Sequence, residues 1–156
     1  MKKITSIILG LSVMIALVFV PYISKGSNVQ SPNPFTEWDT LSDAEAEAGF
    51  SISLPDQIEG YDEIFYRASK THPMIEVIFH NGEGEIRFRK APGSDDISGN
   101  YTPYTQVSTV DGITLKGDHD AFSLAIWTDD EYTYSIYADQ PFSQDEFLNQ
   151  QYIFIN

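Results

Sequence analysis

The amino-acid sequence predicts an α+β domain, built on a curved antiparallel sheet of about seven or eight strands with two helices packed on one face. Three observations support this prediction. Helix-capping patterns occur near both ends of the domain, and the stretch between them alternates apolar and polar residues. Apart from one long loop, the links between the predicted strands are shorter than the dozen or so residues of a parallel crossover, so neighbouring strands should run antiparallel.

A charged and then apolar segment opens the chain. Lys2 and Lys3 precede an almost uninterrupted apolar run from Ile4 to Val20, which Pro21 ends. This arrangement is typical of a secretory signal. We therefore assign residues 1–26 to a signal peptide or an N-terminal membrane anchor. The apolar run of 17 residues is at the short limit for crossing about 30 Å of hydrocarbon, so cleavage and anchoring both stay open.

Composition limits the domain that follows. Residues 27–34 form a polar, proline-containing tether, and residues 35–156 are long enough for a single domain with its own core. The chain has no cysteine, which excludes a disulfide framework, a thiol nucleophile and a thiolate metal site. After the leader, six basic residues stand against 23 acidic ones, a net charge of −17. Such an acidic surface repels phosphate backbones, so we expect no nucleic-acid partner.

Two capping boxes predict the helices. Ser42 can accept a hydrogen bond from the backbone N–H of Glu45 while the Glu45 side chain reaches back, and Gly49 can end the helix in a left-handed conformation. The same box recurs at Ser143 and Glu146, ahead of apolar residues at helical spacing. We expect one short helix before the strands and one helix at the C-terminus.

The strands are predicted from a period of two between the helices. Turn-forming residues such as Asp111-Gly112 separate them and favour a meander. The predicted strands are Phe50–Leu54, Glu63–Ala68, Met74–His80, Glu85–Lys90, Thr105–Val110, Ile113–Lys116, Ala121–Trp127 and Tyr132–Ala138.

The hairpin around Asn81–Gly84 has a predicted register. Its asparagine and glycines favour a tight turn, which pairs the residues on either side of it. Val77 then faces Phe88 on one side of the hairpin, and Glu76 faces Arg89 on the other. The first pair should belong to the core, and the second is an opposite-charge pair worth about 0.2–1 kcal/mol.

The long loop Ala91–Tyr104 combines glycines, hydroxyls and the adjacent carboxylates of Asp95 and Asp96. It departs from a calcium-binding loop because Tyr101 and Val107 stand where such a loop needs glycine and glutamate. We expect an ordered connection whose aspartate and serine side chains accept backbone N–H groups, without a high-affinity calcium site.

We predict no metal site and no cofactor. Asp118-His119-Asp120 offers possible ligands in succession, but neighbouring side chains on an extended chain point to opposite faces, so this segment is predicted to be a turn. The sequence shows no nucleophile elbow, and no catalytic carboxylate pair can be singled out among 23 acidic residues. We therefore expect no enzymatic activity, although a hydrolase site assembled from distant residues stays open.

Aromatic residues supply the candidate ligand contacts. Tyr101 and Tyr104 lie in the long loop, and Trp127 and Tyr137 lie in the last two predicted strands. An exposed aromatic platform on a sheet would suit a peptide, glycan or lipid ligand. The alternative is that these side chains pack under the helices as core.

Three segments carry a family resemblance: "AEAEAGFSISLPDQIEGY", "IEVIFHNGEGEIRFRKAPGSDDISGNYTPY" and "AIWTDDEYTYSIYAD", followed by a serine-capped helix. From about Leu41 to its end, the chain resembles an uncharacterised family of exported Gram-positive domains. That family also forms the outer part of anti-sigma-factor-like membrane proteins and is distantly similar to lipoprotein-carrier and periplasmic sensor domains. The resemblance implies an exported domain with a curved sheet, and it implies no catalytic or ligand residues. This chain has no lipobox cysteine.

Together these observations predict a non-catalytic exported binding or sensing domain. The alternative is a carrier for a lipid or other hydrophobic ligand in the concavity of the sheet, and a hydrolase is the third hypothesis. We expect an extracellular protein, glycan or lipid as partner, and a monomeric chain. It should be extracytoplasmic, either secreted or held at the cell membrane by its N-terminal segment alone.

Overall fold

The computed structural model describes residues 33–155, with side chains described as far as residue 149. The predicted signal peptide or anchor and nearly all of the predicted tether lie outside the described residues. Within 33–155, no helix combines the length and the apolar character that crossing a membrane requires.

A single eight-stranded antiparallel sheet dominates the described chain. The prediction of an α+β domain with an antiparallel sheet and two helices is confirmed. The strand order is β1-β2-β3-β4-β8-β7-β6-β5, so two meanders meet where β8 lies beside β4. In chain order the elements are β1 Thr36–Trp38, α1 Leu41–Ala48, β2 Glu63–Ser69, β3 Met74–Asn81, β4 Gly84–Pro92, β5 Gln106–Val110, β6 Ile113–Asp118, β7 Ala121–Asp129, β8 Tyr132–Phe142 and α2 Gln144–Ile155.

The β3–β4 hairpin has the predicted register. Val77 lies opposite Phe88, and Glu76 lies opposite Arg89. The turn is closed by the Asn81 side chain, whose Oδ1 accepts hydrogen bonds from the backbone N–H groups of the third and fourth turn residues at 2.9 and 2.8 Å. This Asx-type closure does not require a glycine in the left-handed conformation, and Gly82 does not adopt that conformation.

The N-terminal cap of α1 is Thr40, so the prediction of Ser42 was wrong. Thr40 Oγ1 accepts the backbone N–H of Asp43 at 3.2 Å and donates to its carboxylate at 2.7 Å. Asp43 thus stands three positions after the Thr40 cap, and the helix begins earlier than predicted. Glu45 instead accepts the backbone N–H of Ile52 at 2.9 Å. Gly49 ends the helix with φ 86°, as predicted.

The C-terminal helix begins with the predicted capping box. The backbone N–H of Glu146 donates to Ser143 Oγ at 3.3 Å, and the Ser143 N–H donates to the Glu146 carboxylate at 2.9 Å. The two bonds satisfy donors at the start of α2.

The predicted strand Phe50–Leu54 is absent, and the short strand β1 was not predicted. To form a strand at this end of the sheet, Phe50–Leu54 would have to pair with the outer edge of β2. Thr36–Trp38 already pairs with that edge. Ile52 is nevertheless buried, which accounts for the alternating pattern in this segment. Burial of alternate side chains therefore occurs here without strand pairing.

The two sides of the sheet differ in chemistry. One side, the apolar face, carries Val77, Phe79, Ile86, Phe88 and Ile136 in one core cluster. That cluster also includes Ala44 and Ala48 of α1 and Phe147 of α2. The other side is the arginine face. Its side chains alternate along the strands with core residues, or lie opposite one another in neighbouring strands. They include Glu76, Arg87, Arg89, Tyr137 and Lys116.

We expect Val77→Asp to destabilise the protein by at least about 3 kcal/mol, because Val77 is fully buried against Phe88 and the new carboxylate would have no partner there. Val77→Ile keeps the site apolar and adds only one methylene, so it should cost less, about 1–3 kcal/mol. Denaturant unfolding of both variants measures the difference. Equal tolerance of the two changes would contradict the assignment of this side of the hairpin to the core.

Candidate functional site

A row of alternating charges crosses the first four strands of the sheet. Glu37 of β1 lies opposite Arg67 of β2, Arg67 lies opposite Glu76 of β3, and Glu76 lies opposite Arg89 of β4. Directly opposite side chains on one face are about 4.5–5.5 Å apart at Cβ, so each charge meets one of opposite sign. The sheet register itself therefore brings these four residues together.

Glu76 is the buried centre of this row. Its side chain is only 3% exposed. The Arg67 guanidinium lies 3.3 Å from its Oε1, and Arg89 donates from Nε at 2.7 Å and from a terminal nitrogen at 2.6 Å to its Oε2. A buried carboxylate is costly unless it is paired and hydrogen-bonded, and here both oxygens have guanidinium partners.

Arg87 approaches the same carboxylate from two residues along β4. Its Nε lies 3.6 Å from Glu76 Oε2, and a terminal nitrogen pairs with Glu85. Arg67, Arg87 and Arg89 are all the arginines of the chain. A domain with a net charge of −17 thus gathers every guanidinium around one buried glutamate.

Arg89 also anchors the long loop to the arginine face. The nitrogen that does not face Glu76 donates to the carbonyl oxygens of Ile97 at 2.9 Å and Ser98 at 2.6 Å. Both loop residues are buried. The Arg89 side chain passes directly beside Gly99, where an added Cβ would lie 2.3 Å from a guanidinium nitrogen. Glycine is needed here both for this close approach and for its φ of 64°.

Side chains within the loop satisfy its own backbone. Asp96 accepts the N–H of Ser98 at 3.0 Å, Ser98 Oγ accepts the N–H of Asn100 at 3.2 Å, and Asn100 accepts the N–H of Thr102 at 3.0 Å. Lys116 of β6 holds Asp96 at 2.9 Å. The expected ordered connection, with polar side chains accepting backbone N–H groups, is confirmed.

Two adjoining depressions lie between this loop and the sheet. The first has a volume of about 480 Å³ and includes Phe35, Arg67 and Glu76 in its lining. The second has a volume of about 560 Å³ and includes Asn100, Thr102 and Asp139. Both depressions share Arg87, Gly99 and Tyr101. We call the two depressions together the loop groove.

Three of the predicted ligand residues lie in or beside the loop groove. Tyr101 is 89% exposed and borders both depressions, whereas Tyr137 lines the second. Tyr104 is half-buried, and its hydroxyl accepts a hydrogen bond from Asn100 at 2.8 Å. Burial, with the hydrogen bond and negative charge of Asp139, raises the pKa of Tyr137 to about 12. Tyr137 therefore remains a neutral hydroxyl at physiological pH.

Trp127 lies on the apolar face, apart from the tyrosines of the loop groove. Its ring stacks on Tyr134 with centroids 5.3 Å apart and an interplanar angle of 6°. Trp127 is buried within the core cluster. The structure therefore uses this residue in packing, which was the alternative considered for the predicted aromatic contacts.

The arginines of the loop groove were missed as site residues. The sequence contained one usable signal, since the only three arginines occupy positions 67, 87 and 89, the last two at alternate positions of one predicted strand. Alternate residues share a face, so Arg87 and Arg89 had to lie together. The third partner, Arg67, depends on how β2 pairs with β3.

The segment Asp118-His119-Asp120 contains a turn, as predicted. His119 and Asp120 have φ angles of 53° and 64° and connect β6 to β7. Asp118 accepts the backbone N–H of Thr105 at 2.8 Å, and the Asp120 carboxylate accepts from the Gln106 amide at 2.9 Å. Over the described part of the chain, no group of three or more histidine or acidic side chains is placed to hold a metal ion.

Comparison of the chain with protein-family models, with curated proteins and with solved structures finds no match. The family resemblance therefore stays a prediction. The fold and the groove define the chain only as an α+β domain with an arginine-lined depression beside one long loop.

We expect Glu76→Gln to destabilise the protein by about 3–5 kcal/mol, because it leaves the surrounding guanidiniums without their buried countercharge. Glu63→Gln is the matched control: Glu63 lies on the same side of β2 as Arg67 and pairs with His80 at 3.0 Å, but it is exposed. It should cost less than about 1 kcal/mol. Denaturant unfolding measures both variants, and equal costs would remove Glu76 from the centre of the network.

Acid should weaken the attachment of the loop at Asp96. Burial alone would raise its pKa, but hydrogen bonds from Ser98 and Lys116 outweigh burial and bring the pKa below the usual 3.8. A lowered folded-state pKa stabilises the fold above pH 3.8, and that contribution is lost as the pH falls through the folded-state pKa. We expect Asp96→Asn to cost up to about 1 kcal/mol at pH 7, since the carboxylate is partly exposed.

Unfolding curves recorded from pH 7 to pH 2 test this expectation. The stability gap between wild type and Asp96→Asn should close as the pH falls below 3.8. Asp95→Asn, a change at the exposed neighbour, serves as the control and should show little gap at any pH. A gap for Asp96→Asn that is independent of pH would show that its carboxylate charge does not hold the loop.

Proposed function

We propose that the chain is a non-catalytic exported binding or sensing domain, and that its ligand occupies the loop groove. A curved sheet with both helices packed on one face would leave its arginine face open to a ligand. The proposed setting is extracytoplasmic, with the N-terminal segment either cleaved or retained as a membrane anchor. The charge pattern of that segment supports export.

One observation carries the proposal. Tyr101, at 89% exposed, is the most exposed large apolar side chain of the described residues, and it borders both depressions of the loop groove. An aromatic ring exposed beside a concave surface with convergent polar groups is typical of a ligand site. The Arg89 side chain holds the residues next to Tyr101, because it donates to the Ser98 carbonyl and lies directly beside Gly99. The groove is therefore formed before a ligand binds.

The alternative function, a carrier for a lipid or other hydrophobic ligand, fits the groove less well. An acyl chain needs an apolar lining, whereas the first depression contains Arg67, Arg87 and the buried carboxylate of Glu76. A hydrolase is also less favoured, because Glu76 has both oxygens engaged by guanidiniums and is poorly placed to transfer protons.

We expect a ligand of this domain to lose at least about tenfold in affinity when Tyr101 becomes alanine, because the ring would lose its stacking contact. Val107→Ala is the matched control, since Val107 is the other exposed large apolar side chain, at 62%, and lies on the edge strand β5. The probes are a panel of neutral and acidic oligosaccharides, short peptides and long-chain fatty acids. Titrations followed by backbone amide NMR measure the affinities and locate the contacts.

Binding that shifts Gly99–Thr102 and depends on Tyr101 supports the proposal. A fatty acid that binds equally well to the Tyr101→Ala variant, with shifts on the apolar face, would favour the carrier instead. Cleavage of any oligosaccharide or peptide in the panel would favour the hydrolase. A panel with no member that shifts the loop groove would overturn the proposed site.

A further inference from the structure

Among the described residues, one arginine nitrogen beside the loop groove has no hydrogen-bond partner. All nitrogens of Arg89 are engaged, two with Glu76 and the third with loop carbonyls. Arg87 is different: within the described residues its buried Nε has no hydrogen-bond partner, and Glu76 lies beyond hydrogen-bond distance at 3.6 Å. Buried donors without partners are rare in folded proteins. This Nε is closed to solvent, so a ligand can meet Arg87 only through the exposed 28% of its side chain.

The outer partners of these arginines indicate which acceptor fits. Arg67 pairs with Glu37 at 3.3 Å and Arg87 pairs with Glu85, so each guanidinium already faces a carboxylate at the rim. Glu37 is 57% exposed, so its pair with Arg67 is weak and exchangeable, whereas Glu85 is only 22% exposed and holds Arg87 more firmly. A guanidinium binds a carboxylate through two parallel N–H donors. The carboxylate of a ligand can therefore take the place of a glutamate at the rim and form the same kind of bond.

The rest of the groove suits a ligand rich in hydroxyl groups. The second depression offers the Asn100 amide, the Thr102 hydroxyl and the Asp139 carboxylate, which together supply donors and acceptors. The exposed Tyr101 ring supplies a flat surface for the C–H face of a sugar ring. Each depression has two carboxylates in its lining, but the first has three arginines and the second has one. The ligand's carboxylate therefore belongs in the first depression, between Arg67 and Arg87.

The sheet beneath the groove argues against an extended peptide. Strands β2, β3, β4 and β8 each pair with a neighbour on both edges. Peptides that bind to sheets usually add a strand to a free edge, and these strands have none.

We infer that the loop groove binds an acidic sugar, whose carboxylate lies between Arg67 and Arg87 and whose ring packs on Tyr101. This inference rests on the proposed function, because it assigns a ligand class to the same groove. The three arginines balance the charges of Glu37, Glu76 and Glu85, so an anion meets less repulsion at this surface than elsewhere on a domain of net charge −17.

The test uses the full chain in a polyoxyethylene detergent, which carries no sugar headgroup. The probes are uronic acids of gluco, galacto and manno configuration, each paired with its neutral hexose, so that members of a pair differ only in the carboxylate. Amide NMR and calorimetric titrations measure binding. At least one uronate should bind about tenfold or more tightly than its neutral partner, with shifts at Gly99–Thr102.

Two variants locate the carboxylate. Arg87→Gln should remove the preference for the uronate, and a melting curve confirms that this variant folds. Glu85→Gln should instead strengthen uronate binding by about twofold or more, because it removes the competing carboxylate from Arg87. A gain of affinity cannot result from unfolding, so Glu85→Gln tests the inference even if Arg87→Gln is unstable.

The outcomes separate this inference from the proposed function. Neutral hexoses that bind the groove as tightly as their uronates would overturn the inference and leave a binding groove in place. Uronates whose affinity is unchanged by both variants would also overturn it. A groove that binds only peptides or fatty acids would refute the sugar ligand while the groove remains a binding site. Uronate preference that Arg87→Gln removes and Glu85→Gln strengthens supports it.

Discussion

The buried carboxylate of Glu76 is the interaction on which the arginine face of the structure depends. Located in the interior of an eight-stranded sheet, it joins Arg67 on one neighbouring strand to Arg89 on the other. Burying that charge without partners would cost several kcal/mol, so strand register and ion pairing specify one another. A slip of one residue in either pairing would move the glutamate or its arginines to the apolar face.

The strand order explains why a loop lies over this face. Because β8 lies beside β4, the chain leaving β4 in the middle of the sheet must reach β5 at its far edge. Arg89 holds the loop through the carbonyls of Ile97 and Ser98, and Lys116 of β6 holds it through Asp96. The loop thus spans the face without filling it, and the uncovered space is the loop groove.

The proposed binding role rests on the distribution of charge in this architecture. The domain carries 23 acidic residues, yet its only guanidiniums meet at one depression that also presents an exposed tyrosine. A network that served stability alone could be replaced by packed apolar side chains, often without loss of stability. Its position at the wall of a groove is the basis of the recognition role that we propose for it.

The sequence by itself determined the features that depend on short-range pattern. These were the hairpin register with Glu76 opposite Arg89, the capping box at Ser143 and the polar bonding of the long loop. Alternation and capping act between residues close in the chain, so they can be recognised locally. Only the tertiary structure brought Arg67 to Glu76, buried Trp127 and exposed Tyr101, because these outcomes depend on which distant strands pair and which face the core occupies. The three-residue strand β1 escaped prediction for the same reason, since its pairing with β2 crosses 30 residues of chain and leaves little local pattern.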